Sequence, residues 1–444
     1  MKICAYVQKK YAKEAYKNEC LDARSFVGLR IVIDAIQRKG YAVEWAGIDS
    51  VHEYDIVLVS LTASIDWWPF IQERMKWKKG NYKVFIGGAG VMHVQPFLDF
   101  ADYFFLGRGE DTVPHMVEML DGKSGEIPSS VIESKTFDPN KLYYIQQAKC
   151  EYPHEIVSEG LKKGYKEDAI GCNHKCLFCG YTWHRKFNSK ENYYSQKGGQ
   201  VDMANRERAI LDIVQGKGNV NYKMLRNTAV DGLSERLRYM VNKRIKNEHI
   251  IKFFQEMCET EGNGHQIRMY NILGYPTETE EDWYEFKETV IEADKHCRKG
   301  GEKKWYIVIH STPFKPVPAS PLACSPISRK NYRGALEKVI GDKFKKHGIY
   351  QGQAFDVVSS FSVESVYVQE LDAICTRGSE ADSENIKKLA LTPKFWSADA
   401  KSKQKTIEKY FDIDYLFQEF TADTLPSRYL RTFAGVEKMW KRPP

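Results

Sequence analysis

Residues 168–180 read Asp-Ala-Ile-Gly-Cys-Asn-His-Lys-Cys-Leu-Phe-Cys-Gly and place three cysteines, Cys172, Cys176 and Cys179, within eight residues. The residues before the first cysteine predict a strand that ends at Ile170. In α/β folds with parallel strands, functional residues lie in the loops that follow the strands. This stretch therefore indicates an α/β fold and a metal site at the end of one of its strands.

Two kinds of metal are compatible with three thiols. Structural zinc requires a fourth ligand, for which His174 and His184 are nearby candidates. A gap of three residues followed by a gap of two differs, however, from the paired C-x2-C pattern of structural zinc sites. Three thiolates suit a [4Fe-4S] cluster in which one iron has no protein ligand. We therefore favour the cluster over zinc.

The C-x3-C-x2-C spacing, with the aromatic Phe178 before the last cysteine, resembles the signature of the radical S-adenosylmethionine (SAM) superfamily. The resemblance implies that the open iron binds SAM and that the reduced cluster cleaves it to a 5′-deoxyadenosyl radical, which abstracts hydrogen from a substrate. It implies that Phe178 contacts a cofactor. It also implies an external electron donor of the flavodoxin or ferredoxin kind.

A second segment is similar to a motif of the same superfamily. Residues 266–282 look like its "GxPgET" strand and turn, which implies that Asn271 and Gly274 line the adenine of SAM. The same residues also read simply as a strand, a proline turn and a helix with Thr277 or Thr279 as N-cap. Both interpretations are compatible with each other.

A third segment, residues 230–237, resembles the "VESGS" motif of the superfamily, with Asp in place of Glu and Leu in place of Gly. The resemblance implies that Asp231 and Ser234 approach the ribose and carboxylate of SAM. Arg236 is a further candidate partner for that carboxylate. The glycine-rich "GGE" element that holds the SAM amino group in this superfamily is not evident between residues 214 and 229.

The first 125 residues alternate strand and helix signals. Short apolar runs predict strands, and residues 24–39 predict a helix that Gly40 ends. Alternation of this kind predicts a parallel sheet covered on both faces, with ligands bound beyond the carboxyl ends of its strands. The predicted strands span residues 2–7, 41–46, 55–60, 82–86 and 102–106. The candidate ligand-binding residues at their carboxyl ends are Ser60, Thr62, Gly87, Gly88, Gly107, Gly109 and Glu110.

This N-terminal region resembles the flavodoxin-like, Rossmann-like domain of the cobalamin-binding subclass of radical SAM proteins. The resemblance implies cobalamin as a further cofactor at those strand ends. It departs from many cobalamin proteins in one respect, because residues 20–28, where a D-x-H-x-x-G motif would fall, contain no histidine.

From residue 164 the alternation resumes and predicts a second α/β unit, which we interpret as a partial (β/α)6 TIM barrel. The complete prediction is an N-terminal Rossmann-like domain of the cobalamin-binding type, followed by the partial barrel and a mixed, helical C-terminal extension. The predicted boundaries are 1–125 for the first domain, 126–160 for a linker, 161–328 for the barrel and 329–444 for a region that caps the substrate site.

Composition limits the function classes. With 42% apolar and 28% charged residues and a mean hydropathy of −0.52, the chain is globular rather than disordered or collagen-like. No apolar run approaches the length of a membrane span, and no secretory signal is evident, so we expect a cytoplasmic protein without a membrane partner. Ten cysteines in a reducing compartment do not predict a disulfide framework.

The net charge of +7 permits an anionic partner. The basic residues Arg238, Lys243, Arg244 and Lys246 are compatible with a phosphate-binding surface. A solvated helix face is the commoner explanation for such a run. A nucleotide or a base in nucleic acid is therefore one substrate class, and another small molecule is the alternative.

The predicted function is a radical SAM enzyme that performs cobalamin-linked methyl transfer to an unactivated carbon or a radical rearrangement. One alternative is radical SAM modification of a nucleotide or nucleic-acid base without cobalamin. The alternative from another class is a non-enzymatic binding module that zinc stabilises through the same thiols.

Overall fold

The structure is a computed structural model of the 444-residue chain. It describes residues 1–6, 8, 27–147, 169–172, 174–186, 188–189, 210, 227–259, 266–297, 306–330, 332, 344–345, 349–350 and 358–440. Residues 190–209 and 211–226 of the predicted barrel lie outside the described residues. So do residues 148–160 of the predicted linker and residues 20–26 of the segment without a histidine.

A six-stranded sheet forms the N-terminal part of the fold. Its strand order is β2-β1-β3-β4-β5-β6, and the first five strands are parallel while β6 is antiparallel to β5. The five strands predicted in residues 2–106 are all present. The elements are β1 (Ile3–Tyr6), α1 (Val27–Gln37), β2 (Val43–Ala46), β3 (Ile56–Ser60), α2 (Trp67–Arg74), β4 (Lys83–Gly87), β5 (Tyr103–Phe105), α3 (Thr112–Leu120) and β6 (Val131–Glu133).

A second sheet contains the four described parallel strands β10-β11-β12-β15. Burial alternates along β11, where Met269 and Leu273 are buried and pack with Phe253 of α6 and Phe286 of α7. One face of this sheet is therefore covered by helices. The elements from β7 to β15 are β7 (Tyr143–Tyr144), β8 (Ala169–Ile170), α4 (Gly180–His184), β9 (Asn188–Ser189), β10 (Asn227–Ala229), α5 (Glu235–Met240), α6 (Asn247–Glu259), β11 (Gln266–Leu273), α7 (Glu280–Cys297), β12 (Tyr306–Pro313), β13 (Phe344–Lys345), β14 (Ile349–Tyr350) and β15 (Val358–Val363).

The mixed α/β class with parallel strands is confirmed, whereas the specific combination of a Rossmann-like domain and a partial TIM barrel is not. The strand predicted before the cysteines is present as β8, but it pairs with β9 in an antiparallel two-stranded sheet. Among the described residues it makes no pair with the second sheet. The predicted domain boundaries stay predictions.

The C-terminal helices pack on the first sheet. Ile374 and Leu371 belong to the same buried cluster as Val57 and Val59 of β3. The other face of that sheet is covered by α1 and α3. The remaining elements are α8 (Val366–Arg377), α9 (Ser383–Ala390), α10 (Pro393–Ser397), α11 (Ala400–Tyr410), α12 (Ile413–Phe417) and β16 (Leu430–Arg431).

Polar contacts reinforce this shared core. The indole of Trp68 donates a hydrogen bond to the Leu371 carbonyl at 3.4 Å. The imidazole of His93 lies between the Gly378 carbonyl at 2.6 Å and the Tyr429 hydroxyl at 3.1 Å. Burial lowers the pKa of His93 to about 4, so the ring is neutral at pH 7. Residues far apart in the chain thus complete one core.

No helix in the described part of the chain combines the length and the apolar character needed to cross a membrane.

The shared core predicts that a cavity in α8 loosens strands that are far away in sequence. Ile374→Ala should destabilise the protein by about 2–4 kcal/mol, because a fully buried side chain is truncated. It should also accelerate amide hydrogen exchange in β3 and β4, which mass spectrometry of their peptides measures. Leu391→Ala, at a side chain 46% exposed, is the control and should change stability by about 0.5 kcal/mol or less. Faster exchange confined to residues 366–417 would contradict the shared core.

Candidate functional site

The three cysteines lie on one loop that rests on the segment after α5. The Leu177 amide donates to the Val241 carbonyl at 2.9 Å. The side-chain amide of Asn242 donates to the carbonyls of His174 at 3.2 Å and Lys175 at 3.0 Å. Lys175 has a positive φ of 53°, which turns the chain back between the first two cysteines. The cysteine loop, residues 171–180, is thus fixed by main-chain contacts to residues 241–242.

None of the three thiols forms a disulfide bond with another described residue, and Cys176 is buried while Cys172 and Cys179 are half-buried. Burial raises the pKa of Cys176 to about 12, and burial also raises the pKa of Cys179. Cys172 and Cys179 both act electrostatically on Cys176, so the three side chains share one environment. The Trp183 indole and the Thr182 hydroxyl donate to the Cys176 and Cys172 carbonyls at 2.9 and 2.7 Å. The loop is therefore braced from its C-terminal side.

His184, one of the two candidate additional zinc ligands, is bound to another part of the chain. The Nε2 atom of His184 contacts the Pro318 carbonyl at 2.9 Å, and burial lowers the pKa of this ring to about 4. That nitrogen is therefore hydrogen-bonded to the backbone of another loop. Among the residues that the structure describes, no group of three or more His, Cys, Asp or Glu side chains is arranged to hold a metal ion.

A buried ion pair lies beside the cysteine loop. Asp231 follows β10 and has a φ of 51°, and its carboxylate accepts a hydrogen bond from the Lys243 ammonium. The Tyr275 hydroxyl donates to the Asp231 carbonyl at 2.9 Å. The rings of Tyr275 and Phe178 are 6.4 Å apart. Asp231 and Phe178 thus both lie beside Tyr275, the residue after Gly274.

Ser234 and Arg236 are already engaged within the protein. Ser234 caps α5 by accepting from the Leu237 amide at 3.2 Å, and its hydroxyl donates to Asp282. Arg236 pairs with the same carboxylate at 2.5 Å and donates to the Thr277 carbonyl at 2.8 Å. Both side chains join α5 to the start of α7, so the structure gives them a fold-stabilising role that sequence similarity did not reveal.

Asn271 and Gly274 lie at the carboxyl end of β11. The Asn271 side chain is buried, and in the described part of the chain neither its oxygen nor its nitrogen has a hydrogen-bond partner. It lies on the same face of the sheet as Met269 and Leu273, which is the face that α6 and α7 cover. An unpaired buried amide is costly unless a ligand or water satisfies it, so Asn271 keeps its place among the candidate site residues.

For Arg238 the sequence leaves open a phosphate-binding surface or a solvated helix face, and the structure corrects both interpretations. Its side chain is fully buried and donates to the carbonyls of Gly232 at 3.0 Å, Leu233 at 2.8 Å and Ile245 at 2.7 Å. Lys243 is also buried. The spacing of charged residues in the sequence indicates which helix face carries them. It does not reveal that a loop folds back over that face. The basic run therefore does not form one solvent-exposed surface.

At the first sheet, the predicted ligand-binding residues contact the protein itself. The Thr62 hydroxyl and amide both donate to Asp66, and Glu110 pairs with Arg108 at 2.6 Å. Gly88 has a φ of +104°, and a Cβ there would lie 2.3 Å from the Leu61 carbonyl oxygen. These contacts already account for the residue types that suggested a ligand.

The other strand-end residues behave in the same way. A Cβ at Gly107 would lie 2.5 Å from the Gln146 carbonyl oxygen, and one at Gly109 would lie 3.1 Å from the side chains of Val113 and Val32. Gly87 and Ser60 end the paired strands β4 and β3. Ser64, just beyond Thr62, donates to Asp372 of α8. Internal contacts therefore explain several of these residue types, and cobalamin binding at these strand ends stays a prediction.

Comparisons with known proteins add little to this geometry. No family model matches the chain. No curated protein matches it either. A solved structure described as the cobalamin-dependent S-adenosylmethionine radical enzyme OxsB with aqua-cobalamin bound is similar at 10% identity and a TM-score of 0.25, over 96% of this chain and 59% of that chain. The chain thus spans about three-fifths of that enzyme's length, and a TM-score this low supports no inference.

The tight packing at Gly274 predicts a large effect of a single methyl group. A Cβ there would lie 1.9 Å from the Tyr332 hydroxyl, and φ is +78°. Gly122→Ala is the matched control, since its φ is +90° and nothing lies within 4 Å. We expect a destabilisation of about 1 kcal/mol for Gly122→Ala and about 3 kcal/mol or more for Gly274→Ala in denaturant unfolding. Equal losses would show that the Tyr332 contact has no energetic weight.

The buried carboxyl of Glu278 predicts a pH-dependent stability. It accepts from the Gly274 amide and the Trp283 indole, both at 2.8 Å, and burial raises its pKa from 4.5 to about 7. Because the folded state binds this proton more tightly, its stabilising effect is complete below pH 4.5 and is lost as the pH rises through 7.

The test compares the wild type with Glu278→Gln, which stays neutral at every pH. Between pH 4.5 and 7 the wild type should lose stability relative to the variant, by an amount on the order of 1–3 kcal/mol. Urea unfolding at several pH values measures the difference. A difference that stays constant across this range would contradict the raised pKa.

Proposed function

We propose that this protein is a radical SAM enzyme. The observation that carries the proposal is the set of three thiols at C-x3-C-x2-C spacing, on one loop that contacts the segments following β10 and β11 of a parallel sheet. Cys172, Cys176 and Cys179 would hold a [4Fe-4S] cluster. When bound and reduced, that cluster cleaves SAM to the 5′-deoxyadenosyl radical.

The donor set fits this cofactor chemically. Three cysteine sulfurs leave one iron of a cubane without a protein ligand. The high pKa of Cys176 means that its thiolate form needs compensation, which a multivalent metal centre and the nearby Lys243 ammonium provide. Phe178 lies beside Tyr275, and the Leu177 amide binds the loop after α5, so both residues hold the thiols close to the second sheet.

The remaining candidate residues now divide into two groups. Asp231, Asn271 and Gly274 remain proposed SAM contacts, since they lie at the carboxyl ends of β10 and β11. Ser234 and Arg236 act through Asp282 and position the start of α7 instead. We therefore assign SAM recognition to backbone groups and to Asp231 and Asn271 rather than to Arg236.

Cobalamin at the carboxyl ends of β3, β4 and β5 is a proposed further cofactor, and with it the reaction is methyl transfer to an unactivated carbon or a radical rearrangement. Without it, the reaction class that we propose is hydrogen abstraction followed by isomerisation or bond cleavage. The proposal also includes a small-molecule, nucleotide or nucleic-acid substrate, an external one-electron donor, a cytoplasmic location and the domain boundaries 1–125, 126–160, 161–328 and 329–444.

Anaerobic reconstitution with iron and sulfide tests the proposal. The wild type should take up about four irons per chain, show broad visible absorption, and form 5′-deoxyadenosine from SAM with dithionite. Replacement of Cys172, Cys176 or Cys179 by Ala should abolish 5′-deoxyadenosine formation, because each thiol is a cluster ligand.

Cys375→Ala is the matched control, since Cys375 is also a buried cysteine outside any disulfide but belongs to the core of the first sheet. It should retain both iron and activity. A colourless wild type that binds one zinc ion through the same cysteines would overturn the enzyme proposal and support the zinc-stabilised binding module.

A further inference from the structure

The ion pair of Lys243 and Asp231 is an unusual feature for a protein interior. The two side chains are only 6% and 13% exposed. Removing two charges from water costs several kcal/mol per ion, and apolar residues of similar volume often give equal or better stability. The pair therefore needs an explanation other than stability.

The loop that carries Lys243 does not need this ion pair for its conformation. Arg238 already binds the carbonyls of Gly232, Leu233 and Ile245 and the side chain of Asn247. The Lys243 amide also donates to the Arg238 carbonyl at 2.8 Å. The backbone on both sides of Lys243 is thus held independently of its ammonium group.

The position of the pair relates it to the cysteines. Val241 and Asn242, immediately before Lys243, make the contacts that hold the cysteine loop at Leu177, His174 and Lys175. Both charges act electrostatically on Cys176, the ammonium favouring its thiolate and the carboxylate opposing it. One buried positive and one largely buried negative charge therefore lie within electrostatic range of the middle ligand of the proposed cluster.

A cluster with three thiolate ligands gains one negative charge when it accepts one electron. In an environment of low dielectric, a fixed charge nearby changes the energy of that step more than it would in water. A cation favours the reduced form, and an anion favours the oxidised form. Net charge around the sulfurs is one of the quantities that set the potentials of iron-sulfur centres.

We propose that Lys243 and Asp231 together set the reduction potential of the cluster held by Cys172, Cys176 and Cys179, with Lys243 raising it and Asp231 lowering it. This inference rests on the proposed function. In this arrangement the buried pair is a tuning device. Neither residue is a cluster ligand, and the opposite signs of their charges give opposite effects.

The experiment is a redox titration of the reconstituted full-length protein without SAM, in which dithionite supplies the electron and electron paramagnetic resonance follows the reduced cluster. Lys243→Met should shift the midpoint potential downward. Asp231→Asn should shift it upward, and Lys243→Arg should leave it near the wild-type value. Lys246→Met is the control and should cause no shift, because Lys246 is 47% exposed and pairs with exposed Glu248.

The outcomes are distinguishable from a simple loss of folding and from failure of the proposed function. Iron content and thermal unfolding show whether each variant is intact. Shifts of the same sign for Lys243→Met and Asp231→Asn, or no shift in either, would overturn the tuning role while the cluster itself remains established. A wild type that takes up no iron-sulfur cluster would overturn the proposed function, and the tuning role with it.

Discussion

The buried guanidinium of Arg238 is the interaction on which the candidate site depends. It closes the segment between β10 and α6 by satisfying three carbonyl oxygens that would otherwise be buried without donors. Burial lowers the pKa of Arg238 to about 10, so the group still carries its charge at neutral pH. The closed segment presents Val241 and Asn242 to the cysteine loop and places Lys243 against Asp231. The contacts that hold the cysteine loop at Val241 and Asn242 therefore depend on the hydrogen bonds of Arg238.

Polar groups at the start of α7 are also satisfied by hydrogen bonds within the protein. Asp282 accepts from Ser234, Arg236 and the Thr279 amide, and it thereby joins α5 to α7 across the ends of β10 and β11. The Glu278 carboxyl likewise accepts hydrogen bonds from the Gly274 amide and the Trp283 indole. Residues that resemble cofactor contacts in the sequence thus build the walls of the site. A short polar motif can be required for folding and still lie next to the chemistry.

The two sheets differ in how their strand ends are used. At the first sheet, several of the glycines and polar residues that follow β3, β4 and β5 contact neighbouring loops and α8. At the second sheet, Asp231 and Tyr275 lie close to the cysteine loop, and the buried amide of Asn271 has no hydrogen-bond partner among the described residues. The rule that ligands bind at the carboxyl ends of parallel strands therefore favours the second sheet in this protein. The first sheet, with the C-terminal helices, provides a core instead.

The sequence by itself determined the strands and helices of the first sheet, the strand β11 with its turn and helix, and the grouping of three cysteines on one loop. These features depend on local periodicity and spacing, which a single chain segment contains in full. Only the tertiary structure decided that α8 and α9 complete the first core and that β8 pairs with β9. It also decided that Ser234 and Arg236 bind the Asp282 carboxylate and that Lys243 is buried. An amphipathic pattern states that a face will be covered, but the covering residues come from distant parts of the chain. The partner of each face and of each charge is therefore settled only when the whole chain packs together.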